Sequence, residues 1–169
     1  MLGRALTTHR DGHAAGVSQV ADALPHRYPM LLVDRILELV PDVSITAVKA
    51  VTVNEPWFAG HGAAAAYPQV LLIESWCQAA CILTARPLSG EAERADGGMP
   101  LLGALSGVRI RGPVWPGDVL THRARVIRIL ANTWMFEGES FVDGTPSPLL
   151  EVERLTLALR ELDERSGTK

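Results

Sequence analysis

Two side chains in this sequence have the type and setting for proton-transfer chemistry: Glu74 and His61. Glu74 lies inside the most apolar helical segment of the chain, VLLIESWCQAACIL over residues 70–83. A carboxylate there is costly unless it is paired, hydrogen-bonded or protonated. Desolvation strengthens the hold of a buried Glu on its proton, which is what a general acid needs near neutral pH. Gln78 follows at i+4, on the same helical face, and can hydrogen-bond the carboxylate. A buried Glu satisfied by a backbone or arginine partner fits the same spacing equally well. His61 sits between Gly60 and Gly62. Those glycines let the chain turn tightly and leave the ring accessible, and neutral imidazole is the usual general base near pH 7. The alternative for a loop histidine is plain solvent exposure. A third element is the start of the helix. The free N–H groups near Gln69 and Val70 can point at an anionic or carbonyl oxygen, such as that of a thioester enolate. Capping by a side chain or water is the competing reading.

These groups need a scaffold. Pro68 suits a first helical position, and the segment Pro68 to Ala85 is apolar on nearly every face, as a buried helix is. Ser18 can cap a short helix running to Leu24, which Pro25 ends. Met30 to Val40 and the alternating stretch Val43 to Val53, joined at Pro41-Asp42, read as a β-hairpin. Residues Leu88 to Pro100 read as a loop. Leu105 to Arg111, Val119 to Leu130, Thr133 to Val142 and Leu149 to Leu159 have strand content, punctuated by proline, glycine and asparagine turns. One buried helix and about six strands predict an α+β fold, a curved antiparallel sheet wrapped around that helix. The expected organisation is a flexible extension over 1–17, one domain over 18–160 and a flexible tail over 161–169.

Composition narrows the function. The chain has 169 residues, 47% of them hydrophobic, enough for one self-sufficient core. Sixteen basic against 19 acidic residues, a net charge of -3 and 5% aromatics argue against a nucleic-acid partner. No apolar run reaches the ~20 residues of a membrane span. His9, Arg10, Asp11 and His13 interrupt any signal-peptide stretch. Two cysteines build no disulfide framework, so a cytoplasmic protein with reduced thiols is expected.

Three segments carry a resemblance: LPHRYPMLLVDRILEL over 24–39, AVKAVTVNEPWFAGH over 47–61 and GPVWPGDVL over 112–120. They are similar to the β-hydroxyacyl-acyl carrier protein dehydratases of the FabZ type, over nearly the whole chain outside the tails. The resemblance implies a hotdog fold and a pair of protomers joined edge to edge. It implies sites that take a His from one protomer and a Glu from the other. The family's catalytic residues match His61 and Glu74, its helix glutamine matches Gln78, and its thioester-polarising amide matches Gln69, with Val70 beside it. No metal or redox cofactor is implied. Substrate would arrive on the phosphopantetheine of acyl carrier protein. Relatives that also isomerise the double bond commonly carry Asp at the acid position, so Glu74 points to the dehydratase branch. The loop departs from the pattern. Gln69 stands where glycine is expected, and His61 and Glu74 are 13 positions apart (74 − 61), one fewer than usual.

Other residues have simpler expectations. Cys77, Cys81 and Tyr67 would line the substrate channel, since no zinc-ligand spacing accompanies the thiols. Ser75 lacks a nucleophile-elbow context. His26 reads as a structural hydrogen-bonding residue, and His9, His13 and His122 as surface residues. Trp57, Phe58, Trp76, Trp115 and Trp134 read as core or channel wall. Arg109 and Arg111, in a late arginine-rich stretch, could dock an acidic carrier protein or could simply form a solvated strand face. Two rival functions share the features above. One is a hotdog thioesterase that activates water on the same thioester. The other is a non-catalytic subunit of a heterodimeric dehydratase.

Overall fold

The computed structural model describes residues 17–60, 64–85 and 99–160. His61, His9 and His13 lie outside the described residues, as do most of the expected extension and loop and all of the tail. The elements are α1 (Val17–Ala23), β1 (Arg35–Val40), β2 (Ser44–Ala50), a short 3-10 turn (Pro56–Phe58), α2 (Gln69–Ile82), β3 (Met99–Ile110), β4 (Val119–Leu130), β5 (Thr133–Val142) and β6 (Leu150–Arg160). The six strands form one antiparallel sheet in the order β1-β2-β4-β5-β6-β3. β4, β5 and β6 follow one another as a meander, but β3 does not join it in chain order: it crosses over to pair with β6 at the far edge. β3 begins six residues before the expected Leu105, pairing Met99 with Arg160. β1 is shorter than expected. Met30 to Asp34 stays outside the strand because Gln78 takes up part of its backbone hydrogen bonding.

The sheet bends around α2, which packs chiefly on β4 and β2 and also touches β5 and β6. Alternation along β4 turns Leu120, His122 and Ala124 inward and Arg123 and Arg125 outward. Trp76 is the central knob, fully buried, with its indole N–H donating to the Arg123 carbonyl at 3.0 Å. Truncating a ring so placed costs about 3–5 kcal/mol. Register shifts at Val126/Arg128 and Phe136/Gly138 kink the sheet where it must curve. Only glycine fits at 138, because a Cβ would stand 2.1 Å from the Arg123 carbonyl oxygen.

His122 corrects an expectation. It is not on the surface but wholly buried, its Nδ1 2.7 Å from Ser140 Oγ across the β4–β5 pair. Position 122 faces inward by strand parity, and burial, aided by the Lys49 charge, holds its pKa down to about 3. The unfolded chain therefore takes up this proton near pH 6.5 while the folded one refuses it. Stability is lost as pH falls from about 6.5 toward 3, by at most ~1.4 kcal/mol per pH unit from this residue. Urea melts between pH 7.5 and 4 should show a flatter pH dependence for His122→Gln than for the parent protein. Parallel curves would mean that the ring takes up its proton without unfolding.

Candidate active site

Glu74 and Gln78 meet as their spacing requires. The Gln78 carboxamide makes three bonds, which fixes its orientation. Its Oε1 accepts the Leu32 N–H at 2.9 Å, and its Nε2 donates to the Met30 carbonyl at 2.8 Å and to Glu74 Oε1 at 2.9 Å. Gln78 thus staples the 30–32 segment to α2 and holds the carboxylate in place. His26 adds a contact that sequence reasoning missed, its Nε2 standing 3.5 Å from Glu74 Oε1. The Nδ1 of His26 is buried with no hydrogen-bond partner. The clue in the sequence was the position of His26 four residues before Met30, inside the segment that carries the resemblance.

The expectation of a buried Glu74 needs correcting for the single chain. Its side chain keeps 35% of its exposure. The reason lies in the helix: Val70, Ile73, Glu74 and Cys77 are not buried, and at i, i+3, i+4 and i+7 they form one face. The opposite face, with Leu72, Trp76 and Ala79, is the one sunk into the sheet. A helix apolar on all sides therefore offers one apolar face to the sheet and leaves a second only partly covered, with a carboxylate in its middle.

The start of α2 provides the second cluster. Pro68 is the N-cap and no side chain caps the helix, so first-turn N–H groups remain available. Gln69 lines a cavity of about 310 Å³ together with Tyr67, Leu72, Ile110, Arg111 and Val114. Val70 is largely exposed. Glu74 does not line this cavity, because five residues turn a helix by roughly 140° and the two positions look in different directions. One chain therefore brings Gln69 together with Tyr67, and Glu74 together with Gln78 and His26, at two separate places.

The remaining candidates are placed as follows. Tyr67 is buried, its hydroxyl without a partner, and burial with the nearby Glu55 and Asp34 charges pushes its proton affinity well up. Cys81 is buried and Cys77 half-buried. Burial first, then the Glu74 charge, raises the Cys77 thiol to about 12, and burial raises Cys81 to about 11. Ser75 is buried and donates to the Leu72 carbonyl. Trp115 is exposed, whereas Trp134 lies in the core. Arg109 pairs with Glu153, Arg111 with Glu151 and Arg125 with Glu137, so these guanidiniums are matched by carboxylates on neighbouring strands. Arg111 lines the Gln69 cavity, whereas Arg109 and Arg125 border a wider trough, about 1020 Å³, on the sheet face away from α2. It contains none of the proton-transfer candidates. Among the described residues, no group of three or more His, Cys, Asp or Glu side chains could hold a metal ion, and no helix is long and apolar enough to cross a membrane.

Known proteins align with this arrangement. A FabA-like domain model matches residues 24–146. A 3-hydroxyacyl-[acyl-carrier-protein] dehydratase FabZ from Paramagnetospirillum magneticum is 37% identical over 155 residues, 91% of each chain. The FabZ of Oleidesulfovibrio alaskensis is 43% identical over 129 residues, 76% of this chain and 82% of the relative. Among solved structures, the dehydratase heterocomplex ApeI:P from Xenorhabdus doucetiae superposes with a TM-score of 0.68 at 23% identity, covering 84% of this chain and 91% of that one. A mutant thioesterase from Pseudomonas aeruginosa superposes at 0.61 and 16% identity, covering 89% and 97%. These two likenesses speak for the fold alone, which is the hotdog fold expected. Matching segments, helix-borne carboxylate and full-length relatives agree, and the chain belongs to the FabZ family of 3-hydroxyacyl-[acyl-carrier-protein] dehydratases.

Proposed function

We propose that this protein removes water from a 3-hydroxyacyl thioester carried on acyl carrier protein and yields the trans-2-enoyl thioester, in fatty-acid or polyketide biosynthesis. His61 takes the proton from C2. The C2=C3 bond forms as the C3–O bond breaks, and Glu74 gives its proton to the departing hydroxyl, which leaves as water. The N–H groups of Gln69 and Val70 stabilise the charge that grows on the thioester oxygen. Gln78 holds the acid. No cofactor takes part beyond the phosphopantetheine that carries the acyl chain.

One observation carries the two-chain form of this site: Glu74 lies on a partly exposed apolar stripe, away from the Gln69 cavity of its own chain. A second hotdog subunit laid over the stripe would bury it and bring Glu74 to the other chain's Gln69 and His61. We propose that this assembly is a dimer and that the protein works in the cytoplasm. Cys77, Cys81 and Tyr67 would border the acyl channel. Arg109 and Arg111 would have to exchange their glutamate partners for a carrier-protein carboxylate or phosphate. The side chain of Gln69 narrows the thioester end, which favours a specialised acyl group.

The deciding assay follows the purified chain with a 3-hydroxyacyl carrier protein, measuring enoyl absorbance and free thiol together. Enoyl formation without thiol release is expected. Thiol release would identify a thioesterase, and turnover only after a second hotdog protein is added would identify a heterodimer subunit.

A further inference from the structure

The buried cation Lys49 has no part in the chemistry above. It sits on β2, on the inward face shared with Ile45 and Ala47, and is almost fully enclosed. Its Nζ is 3.0 Å from Glu55 Oε2, with 5% and 11% of the two side chains exposed. It also donates to the Ala50 carbonyl and stands 5.4 Å from the centre of the Tyr67 ring. Glu55 is a hub. Its Oε1 accepts the Thr52 N–H and its Oε2 accepts the Trp57 indole N–H, each at 2.9 Å. The Trp57 and Phe58 rings in turn contact Tyr67, with centroids 6.4 and 6.2 Å apart. Tyr67 is tied to the neighbouring loop through its N–H, 2.7 Å from the Val114 carbonyl.

These contacts converge on the two shoulders of one short stretch of chain. Residues 52–58 lead into His61, and Tyr67 leads from it into α2. Lys49 touches both shoulders, through a charge on one side and a ring face on the other. Burying an ion pair is a poor way to add stability, because well-packed apolar side chains of similar volume do as well or better. What the pair adds is a fixed geometry. We infer that Lys49 is a positioning residue: with Glu55 it locks the two shoulders of the His61 loop to each other and so sets where the base stands. The inference rests on reading His61 as the base, but its structural half can be tested without substrate.

The test compares Lys49→Met, Lys49→Arg and the double variant Lys49→Met with Glu55→Gln. Hydrogen exchange is followed in the peptide 57–67 and, as a control, in 69–82. The expected result for Lys49→Met is about tenfold faster exchange in 57–67 with α2 unchanged. Its kcat should fall about 30- to 100-fold, with KM within about threefold, as a base displaced by roughly 1 Å would give. Lys49→Arg should recover most of the loss. The double variant, free of a stranded buried charge but with one Glu55 acceptor replaced by an NH2, should regain part of the melting temperature but neither the slow exchange nor kcat. It also carries the test if Lys49→Met alone does not fold. Recovery of kcat together with melting temperature in the double variant would assign Lys49 to stability alone, as would unchanged exchange in 57–67. If the parent protein shows no dehydratase activity, the exchange data still decide whether the lock exists.

Discussion

Glu74→Gln should lower kcat for enoyl formation by about a thousandfold, within the range that one general acid contributes. The substitution preserves shape. An amide at 74 keeps an oxygen for the Gln78 Nε2, so the Gln78 bonds to Met30 and Leu32 survive and α2 keeps its seat. What is lost is the proton for the departing hydroxyl. KM should barely move, because the carboxyl acts on the bond being broken and not on the carrier or the acyl chain. Initial rates on a 3-hydroxyacyl carrier protein, with circular dichroism to check the fold, measure this. A loss smaller than about tenfold would remove Glu74 from the role of acid. His26, 3.5 Å from the same oxygen, would then be the first alternative.

The second large effect is a gain. His61→Ala and Glu74→Gln should each be nearly inactive, yet mixing the two under conditions where subunits exchange should restore activity. In a two-fold dimer the residues come from opposite chains, so each mixed pair has one intact site and one doubly defective site. Half the dimers would be mixed, giving about a quarter of the parent rate. The prediction follows from the separation of Glu74 and the Gln69 cavity within one chain. No recovery, with exchange of subunits verified by mass spectrometry, would place both groups in the same protomer's site.

Much of the architecture could be read from residue patterns because those patterns are local. Pro68 and the apolar run after it located α2, and alternation with turn residues located β2, β4, β5 and β6. The Glu74–Gln78 contact was equally legible, since i+4 spacing leaves little freedom. What escaped depended on partners distant in sequence. The meeting of His26 and Glu74 spans 48 positions (74 − 26) and is created by Gln78 holding the 30–32 segment on the helix. His122 was misjudged from its residue type: strand parity sets it with Leu120 and Ala124, and its polar ring is accommodated by Ser140 across the β4–β5 pair, a partner distant in sequence. Lys49 was passed over for the same reason. A lysine in a strand reads as solvated until Glu55 and Tyr67 are seen around it. The run of apolar residues in α2 did not show that Val70, Ile73, Glu74 and Cys77 form its less covered face, because which face the sheet takes is a property of how the whole chain folds.

That stripe also bears on how Cys77 meets electrophiles. Peroxides, disulfides and alkylating electrophiles react with the thiolate, and burial together with the Glu74 charge raises the Cys77 thiol and so disfavours that form. The sulfur beside the acid is chemically quiet, so a covalent warhead aimed at this face would find little to attack.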